Sequence, residues 1–366
     1  MKISADRIAN IERSKIRKIF DRAPKNAINL GLGEIQFRTS KILIDYAKNI
    51  LDNETLKYTP NGGLTELRQK IAEYYTINFD ENVCVTVGAE EAIFATLFSH
   101  LNPNDEVLMP NPAFIVYDSI VKMLGGVSVK FDLDATNNFR INKKFFLQNI
   151  SHKTKILILN NPSNPIGISF TNDEMDFIVN ECEKRDILLI VDEIYRDLYL
   201  QNRPKSFLQM YENVIVISGL SKSHCMSGWR VGWCISQNAE LIKPIIKSHQ
   251  FICTCAPYLS QKVAIKALSL ENTEIREKLR KNYDFARKFI EIKIPNLKII
   301  EPNSAPYLFL KTDSDDMQLT EKLLQHGVIV MPGSIFGTNG KTFLRLNYGL
   351  EKNILQKGLE IIAKNI

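Results

Sequence analysis

Short apolar runs alternate with stretches of helical spacing through the middle of the chain. The runs lie between positions 83 and 236 and read VCVTVG, EVLMP, VSVKFDL, KILILN, ILLIVD, VIVIS and RVGWCIS. Between several of them, apolar residues recur at helical spacing, as in AEEAIFATLFSHL and NDEMDFIVNECEKRD. Because strands that are apolar on both faces are covered by helices on both sides, the pattern predicts an α/β fold with a mostly parallel central sheet.

The pattern changes after position 268. A long charged stretch with helical spacing, ENTEIREKLRKNYDFARKFIEI, precedes the strand-like segments APYLFLK, VIVMPG and TFLRLNYG, and the chain ends in a further helical stretch. This order of elements predicts a smaller α+β domain that is joined to the first through a long helix. We therefore expect a large α/β domain over residues 35–268 and a small domain built from residues 1–34 and 269–366.

Charge distribution and targeting signals argue against several classes of function. The chain has 47 Lys and Arg residues against 41 Asp and Glu residues, but the basic residues are spread along it and form no run for nucleic acid or an anionic membrane. The segment MKISADRIANIERSKIRKIF has no apolar block typical of a signal peptide, and no apolar run approaches the roughly 18 residues of a membrane helix. We expect a cytoplasmic protein that binds neither nucleic acid nor membranes.

The cysteines and histidines form no recognisable metal-binding motif. The 6 cysteines include no CxxC pair, the 5 histidines include no HExxH motif, and most of the cysteines have apolar neighbours. The cysteines are therefore expected to be reduced packing residues, and no catalytic metal is predicted.

Polar residues follow three successive predicted strands. The segment NNPSNPIG begins where KILILN ends, Asp192 and Tyr195 follow ILLIV, and Lys222 follows VIVIS within SGLSKSHCMSGWRVGW. Ligands of open parallel sheets bind beyond the carboxyl ends of the strands, where these residues are expected to meet. The sequence thus predicts a ligand site around Lys222.

Lys222 and Arg230 are candidates for binding an aldehyde cofactor that carries a phosphate. A lysine amine withdrawn from water loses its proton and bonds to an aldehyde carbon, and a guanidinium binds phosphate through paired hydrogen bonds. Asp192 is the candidate acid for a pyridine nitrogen, so the set points to pyridoxal phosphate. Each residue also has an ordinary alternative: a surface lysine, an ion-paired Arg230, and a helix cap for Asp192.

Weaker signals accompany this set. Tyr195 reaches the same side of the site if a helical turn begins after ILLIVD, and the prolines of NNPSNPIG hold Asn164 rigidly at a strand end. Gly88 and Ala89 open a helix whose N-terminus suits a phosphate, although Glu90 is a poor neighbour for that group unless its side chain points away. Packing for the tyrosine, and ordinary turns for the other segments, remain the alternatives.

Eight motifs, in order along nearly the whole chain, resemble those of the class I/II aminotransferases, the pyridoxal-phosphate-dependent family of fold type I. The most specific is GLSKSHCMSGWRVG, which matches the family's lysine signature with Cys225 at a position usually filled by another small residue. The others are INLGLGE, KYTPNGGLTELR, PNPAFIVY, NNPSNPIG, VDEIY, MPGSIFG and FLRLNYG. The resemblance is closest to the aspartate and aromatic amino-acid aminotransferases of bacteria and archaea.

The resemblance implies how the cofactor is held. Lys222 makes the covalent link, Asp192 pairs with the ring nitrogen, Asn164 and Tyr195 bond the phenolic oxygen, and Phe114 stacks on the ring. The remaining residues expected to hold the cofactor lie around its phosphate: Gly88, Ala89, Glu90, Ser221 and Arg230.

The resemblance also implies partners. Tyr58 matches a tyrosine that reaches the phosphate of the neighbouring subunit, so the resemblance implies a homodimer. Arg345 matches the arginine that binds the α-carboxylate of the substrate, and Gly33 and Asn164 are expected in the same substrate pocket. The substrates implied are an L-amino acid and a 2-oxo acid, without an assignment of the side chain.

The implied mechanism has two halves. An amino acid displaces Lys222 from the cofactor aldehyde, and the freed amine moves a proton from the substrate Cα to C4′ of the cofactor. A 2-oxo acid leaves, and a second 2-oxo acid reverses the sequence. Lys222, Asp192 and Tyr195 are the residues expected to act in catalysis.

Departures from the family pattern keep other functions open. Ile35 and Gln36 stand where Pro and Asp are usual, and Ser304 and Pro306 replace a usual Gly and Phe, so a carbon–sulfur lyase, a decarboxylase or a cyclase on the same fold remains an alternative. A non-catalytic effector sensor is a further alternative, but GLGE begins at Gly31 and leaves no room before it for the expected DNA-binding module. No GxGxxG follows a strand, which argues against a nicotinamide-dependent dehydrogenase.

Overall fold

The computed structural model describes residues 4–9, 11–79 and 81–366. Its helices are α1 (Asp6–Ala9), α2 (Lys15–Arg22), α3 (Lys41–Asn53), α4 (Thr65–Tyr74), α5 (Ala89–His100), α6 (Val116–Met123), α7 (Lys143–Gln148), α8 (Asn172–Glu183), α9 (Lys243–Cys253), α10 (Tyr258–Ala267), α11 (Thr273–Lys293), α12 (Asp316–Gln325) and α13 (Lys352–Asn365). Its strands are β1 (Ile28–Asn29), β2 (Val83–Thr86), β3 (Glu106–Asn111), β4 (Val127–Asp134), β5 (Arg140–Ile141), β6 (Thr154–Asn160), β7 (Leu188–Asp192), β8 (Val214–Gly219), β9 (Gly232–Ile235), β10 (Lys298–Ile300), β11 (Tyr307–Lys311), β12 (Val328–Ile329), β13 (Met331–Pro332) and β14 (Phe343–Asn347).

Strands β2 to β9 form an 8-stranded sheet in the order β2-β9-β8-β7-β6-β3-β4-β5. Neighbouring strands from β8 to β4 are parallel, whereas β9 is antiparallel to β2 and β8, and β5 is antiparallel to β4. The apolar runs of the sequence correspond to β2, β3, β4, β6, β7, β8 and β9. The predicted α/β fold with a mostly parallel sheet is therefore confirmed.

Successive residues of the central strands pack on opposite faces of this sheet. In β6, Leu157 and Leu159 belong to the apolar core that includes α8, whereas Ile156 and Ile158 belong to the core that includes α5. Both faces of the strand are buried, which explains why the sequence is apolar without interruption there.

The carboxyl ends of three central strands are aligned at one edge of the sheet. In the strand register, Asn160 of β6 lies opposite Asp192 of β7, and Asp192 lies opposite Ile217 of β8. The segments that follow β6, β7 and β8 therefore start side by side, which is the arrangement expected for a ligand site in such a sheet.

The C-terminal part of the chain forms a second sheet with its own apolar core. Strands β10, β11, β14 and β13 are antiparallel neighbours in that order, and the predicted long helix is confirmed as α11. Strand β1 from the N-terminal segment pairs in parallel with β12, so this segment joins the C-terminal elements. No helix in the described part of the chain combines the length and apolar character needed to cross a bilayer.

Candidate active site

A cavity of about 600 Å³ lies at the carboxyl ends of β6, β7 and β8, between the large sheet, the N-terminal segment and the C-terminal sheet. It brings together most of the residues that the sequence predicts for the site: Gly33, Ala89, Glu90, Phe114, Asn164, Asp192, Tyr195, Ser221, Lys222, Arg230 and Arg345. Gly88 lies beside this cavity, against the Arg230 guanidinium. Residues that are far apart in the sequence thus share one space large enough for a small cofactor and its substrate.

Lys222 directs its amine into the cavity from the loop after β8, where Nζ donates a hydrogen bond to the backbone oxygen of Gly33. Burial, opposed by the Glu34 charge and assisted by the Arg345 charge, lowers the pKa of this amine to about 8. About one tenth of the Lys222 amine is therefore unprotonated at pH 7. This amine is prepared to act as a nucleophile and as a base.

Asp192 is a buried carboxylate that is held by two hydrogen bonds. The Tyr117 hydroxyl donates to Oδ2 at 2.8 Å, and the Ile194 N–H donates to Oδ1 at 3.1 Å. Burial raises the pKa of Asp192 to about 6, against the opposing effect of the Tyr117 and Ile194 hydrogen bonds and of the Lys222 charge. At neutral pH the carboxylate is mostly ionised and suits a protonated ring nitrogen of a ligand.

Two short networks fix the polar side chains around Asp192. Asn160 donates from Nδ2 to the backbone oxygen of Asp192 at 2.8 Å, and its Oδ1 accepts the backbone N–H of Asn164 at 2.7 Å. The hydroxyls of Tyr195 and Tyr307 are 2.7 Å apart, and burial raises the pKa of Tyr195 well above its usual value. Tyr195 therefore stays protonated and can donate to an oxygen of a bound ligand.

Arg345 is a buried cation at the other side of the cavity, with 2% of its surface exposed. Its Nη1 donates to Asn164 Oδ1 at 2.8 Å, and its Nη2 donates to the backbone oxygen of Gly31. The guanidinium carbon lies 4.7 Å from the ring centroids of both Tyr307 and Phe336. Its buried Nε has no hydrogen-bond partner in the described part of the chain, and this unused charge suits a carboxylate ligand.

Gly88 and Arg230 form a cradle at the N-terminus of α5. Gly88 has φ of 88°, and a Cβ on it would lie 2.6 Å from Nη2 of Arg230. Arg230 donates from Nη1 to the backbone oxygen of Ser227 at 2.9 Å and from Nη2 to that of Val87 at 3.2 Å. The absence of a side chain on Gly88 keeps the guanidinium close to the unpaired N–H groups of the first helical turn. Such a place binds phosphate well.

Besides Gly88, one further predicted residue does not line the cavity, and neither do the residues that depart from the family pattern. Tyr58 does not line it, and 85% of its surface is exposed. Among the described residues at the departures, Ile35, Gln36, Ser304 and Pro306 do not line the cavity either. Ile35 packs in the core of the C-terminal elements, so the change at that position is accommodated away from the ligand space.

Three residues that support the site were not identified from the sequence. Tyr117 donates a hydrogen bond to Asp192, and Asn160 accepts one from the backbone of Asn164. The hydroxyl of Tyr307 is hydrogen-bonded to that of Tyr195. Tyr117 lies within the motif PNPAFIVY and Asn160 within NNPSNPIG, so these motifs could have pointed to both residues as parts of the site. Nothing in the local pattern around Tyr307 indicates that its hydroxyl meets that of Tyr195.

The described side chains fit pyridoxal phosphate. A lysine amine with a lowered pKa, a buried carboxylate and a glycine-lined anion cradle meet in one cavity, and these are the groups required by its aldehyde, its ring nitrogen and its phosphate.

Comparison with known proteins agrees with this geometry. The family model described as aminotransferase class I and II matches residues 25–362. The chain is 33% identical over 377 residues to an aspartate aminotransferase of Pyrococcus horikoshii, with 98% of this chain and 96% of that protein covered. It is 29% identical over 380 residues to aromatic-amino-acid aminotransferase 2 of Thermococcus litoralis, with 98% and 97% covered.

A solved structure of the aspartate aminotransferase of Thermus thermophilus with maleate has a TM-score of 0.94 to this chain at 26% identity, and 100% of both chains is covered. The chain therefore belongs to the class I and II aminotransferases and is a pyridoxal-phosphate-dependent enzyme of fold type I that transfers amino groups between amino acids and 2-oxo acids.

Proposed function

We propose that Lys222 is the residue that bonds the cofactor aldehyde and then moves the proton of the substrate α-carbon. The observation that carries this proposal is the position of its amine in the cavity, with its pKa lowered to about 8. When bound, pyridoxal phosphate draws electrons from the bonds to the substrate α-carbon. The unprotonated Lys222 amine can then accept the α-proton as a general base.

The test compares wild-type protein with Lys222→Ala and with a control in which the exposed Lys205 is changed to Ala. Each holoenzyme receives one amino acid at a time without a 2-oxo acid, and the 2-oxo acid formed is counted per active site. We expect about one equivalent from the wild type and from the control, as the first half-reaction requires, and none from Lys222→Ala. Equal yields from Lys222→Ala and the wild type would refute the role.

We propose that Asp192 holds the ring nitrogen in its protonated form. Support comes from the buried carboxylate, which Tyr117 and Ile194 keep ionised at neutral pH through their hydrogen bonds. Tyr195 and Asn164 are the proposed donors to the phenolic oxygen, and Phe114 on the cavity wall is the proposed stacking partner.

The phosphate is proposed to lie in the cradle at the N-terminus of α5. Gly88 gives space, the Ala89 end of the helix gives N–H donors, and Ser221 and Arg230 supply side-chain donors at the same wall. Glu90 also lines the cavity. Because a carboxylate repels a phosphate, the proposal requires the Glu90 side chain to face the substrate side of the cavity.

Arg345 is proposed to bind the α-carboxylate of the substrate beside Gly33 and Asn164. Its unpaired Nε and its charge favour an anionic group, and the rings of Tyr307 and Phe336 hold the guanidinium plane. This contact orients the α-carbon relative to Lys222, so that the proton to be moved lies within reach of the amine.

We propose that the preferred amino-group donor has a side-chain carboxylate. Arg17 of α2 lines the cavity, and its side chain makes no hydrogen bond or ion pair within the described residues. The named aspartate aminotransferases among the relatives support this class of substrate. Glu90 faces the same space with the opposite charge and would weaken the binding of such a substrate.

Two variants test this specificity, and they are expected to change kcat/KM for aspartate in opposite directions. Arg17→Gln is expected to lower kcat/KM for aspartate by about tenfold while leaving kcat/KM for phenylalanine unchanged, because one charge-assisted contact is lost. Glu90→Gln is expected to raise kcat/KM for aspartate. If Arg17→Gln changed both substrates equally, Arg17 would have no part in selecting the side chain.

A homodimer with Tyr58 in the neighbouring site is proposed. The Tyr58 side chain is almost fully exposed, and its loop is joined to the loop after α9 by a 2.8 Å hydrogen bond from Asn61 Nδ2 to the backbone oxygen of Thr254. Phe251, close to that second loop, is 80% exposed. Exposed aromatic residues grouped in this way are typical of an interface between subunits.

Mixing two defective variants tests the shared site directly. Tyr58→Ala and Lys222→Ala homodimers are each expected to have little activity. Subunits exchanged between them would form one site with both native residues, and the proposal predicts a return of up to about a quarter of the wild-type activity for random pairing. A monomer by light scattering, or no recovery after exchange, would count against it.

We also propose the domain division into residues 35–268 and the pair 1–34 with 269–366, and a cytoplasmic location. The pairing of β1 with β12 and the separate core of the C-terminal elements support the division. Free cysteines, six in the described residues, are typical of a reducing compartment. Limited proteolysis of the apoenzyme and cell fractionation test the two points separately.

A further inference from the structure

Three potential metal ligands from two helices converge outside the active-site cavity. Glu91 lies in the first turn of α5, and His249 and Cys253 lie one turn apart on α9. Glu91 Oε1 is 3.1 Å from His249 Nδ1, and Cys253 Sγ is 3.4 Å from the same nitrogen. Each residue offers one ligand atom, and these atoms all lie within 4.8 Å of one another. None of the three lines the cavity.

These distances fit a tetrahedral ion. Zinc is bound at about 2.0–2.1 Å by histidine nitrogen, about 2.0–2.2 Å by carboxylate oxygen and about 2.3 Å by thiolate sulfur. Ligand atoms at tetrahedral angles around such an ion are therefore separated by roughly 3.3–3.6 Å. The separations of 3.1 and 3.4 Å each lie within a few tenths of an ångström of these values, and the third pair, Glu91 and Cys253, lies within 4.8 Å.

Hydrogen bonding alone serves the closest contacts of this cluster only in part. Nδ1 of His249 carries either a hydrogen, which it can donate to Glu91, or a lone pair, which can accept the Cys253 thiol. It cannot do both at once, so a hydrogen on Nδ1 leaves the Cys253 thiol with the longer contact of 3.8 Å to Nε2 of the same ring. His249 is fully buried, so water cannot complete the set at its ring. A cation bound to Nδ1, to the Glu91 carboxylate and to a Cys253 thiolate uses all three groups.

We propose that Glu91, His249 and Cys253 form a site for a zinc-like divalent cation, with three protein ligands and a fourth position for water. A nitrogen, a thiolate and a carboxylate suit Zn²⁺, whereas magnesium and calcium prefer oxygen ligands alone. The site is separate from the chemistry at Lys222. Sequence spacing does not reveal it, because Glu91 comes from a helix distant in the chain from His249 and Cys253.

Binding releases a proton from the thiol. A cysteine thiol is mostly protonated at neutral pH, whereas a metal ion binds the thiolate. When Zn²⁺ binds, the S–H bond breaks, a zinc–sulfur bond forms, and the proton passes to the buffer. Binding of the ion is therefore expected to release protons to the buffer.

Glu91 connects the proposed metal site to the phosphate cradle through Val87. Glu91 Oε2 accepts the backbone N–H of Val87 at 3.1 Å, and the backbone oxygen of Val87 accepts Nη2 of Arg230. The carboxylate that would bind the ion through Oε1 therefore also holds the turn just before Gly88.

Calorimetric titration with Zn²⁺ tests the proposal. The holoenzyme is first treated with a chelator to remove bound metal. Wild-type protein is expected to bind one ion per chain with release of protons, measured in two buffers of different ionisation enthalpy. His249→Gln and Cys253→Ser are expected to bind more than about tenfold more weakly. The controls His152→Gln and Cys255→Ser change an exposed histidine and a nearby cysteine outside the cluster, and they should bind as the wild type does.

Thermal unfolding separates loss of binding from loss of folding. Each variant is melted with and without Zn²⁺, and the ion is expected to raise the Tm of the wild type and both controls but not of His249→Gln or Cys253→Ser. Absence of a one-to-one site in folded wild-type protein would overturn the proposal. Equal affinity of the cluster variants and the controls, or binding without proton release, would overturn it as well.

Discussion

Tyr117→Phe removes one oxygen from the core and tests how the structure controls Asp192. The Tyr117 hydroxyl is fully buried and donates to Asp192 Oδ2 at 2.8 Å, so its loss leaves the Ile194 N–H as the one remaining hydrogen bond that the structure shows to this carboxylate. A hydrogen bond to a charged group contributes about 1.5–3 kcal/mol. At 1.36 kcal/mol per pH unit, the midpoint of Asp192 ionisation is expected to move about 1 to 2 pH units higher.

The sign follows from the direction of the pKa shift. Asp192 already titrates at about 6 because burial disfavours its charge, and the Tyr117 hydrogen bond opposes that effect. Without the hydroxyl, the carboxyl is largely neutral at pH 7 and no longer stabilises a positive ring nitrogen. The ionised fraction of Asp192 at pH 7 is expected to fall from about 0.9 to between about 0.5 and 0.1, so affinity for pyridoxal phosphate at pH 7 is expected to fall by about 2- to 10-fold, and to recover as the pH rises.

The assay is the dissociation constant of pyridoxal phosphate for the apoenzyme, measured by absorbance at each pH from 5.5 to about 9. Wild-type affinity is expected to weaken below pH 6, and that of Tyr117→Phe at a higher pH. Tyr211→Phe is the control, because its hydroxyl bonds the backbone oxygen of Ile187 at 3.3 Å and does not contact Asp192. Identical pH midpoints for wild type and Tyr117→Phe would refute the reasoning.

Three further predictions follow from the same geometry. Gly88→Ala is expected to weaken cofactor binding by more than about tenfold in equilibrium dialysis, because its Cβ would meet Arg230 and its φ of 88° costs about 1–2 kcal/mol for a residue with a side chain; wild-type affinity would contradict this. Arg345→Lys is expected to raise the KM of the amino acid by about tenfold or more, since a single ammonium replaces a fixed planar donor, and an unchanged KM would remove Arg345 from the carboxylate site. The rate at which apoenzyme takes up the cofactor covalently is expected to rise about tenfold per pH unit up to pH 8 and then level, because the unprotonated Lys222 amine attacks; a rise continuing beyond pH 10 in stopped-flow traces would show an unshifted lysine.

The order of elements and the residues at the strand ends are accessible from the sequence. The uninterrupted apolar runs become β6, β7 and β8 because both faces of these strands are buried, and the aligned register brings the segments after them together. This is why the local pattern predicts that Asp192 and Lys222 lie close together. Parallel sheet geometry converts sequence position into a shared location.

Contacts between distant segments are not accessible in the same way. Tyr307 meets Tyr195, and Glu91 meets His249, through packing of elements that are more than a hundred residues apart. Neither Tyr307 nor His249 is recognisable as a site residue from its neighbours in the sequence, since the same residue types are common in cores. The lowered pKa of Lys222 likewise depends on burial by the assembled site, which no short stretch of sequence encodes.

The most direct test of the account is to locate the lysine that carries the cofactor. Holoenzyme is reduced with borohydride, which makes the covalent link between amine and aldehyde permanent, and the protein is digested and examined by mass spectrometry. The account predicts a pyridoxyl group on Lys222, in the peptide that contains GLSKSHCMSGWR. A pyridoxyl group on another lysine, with Lys222 unmodified, would contradict it.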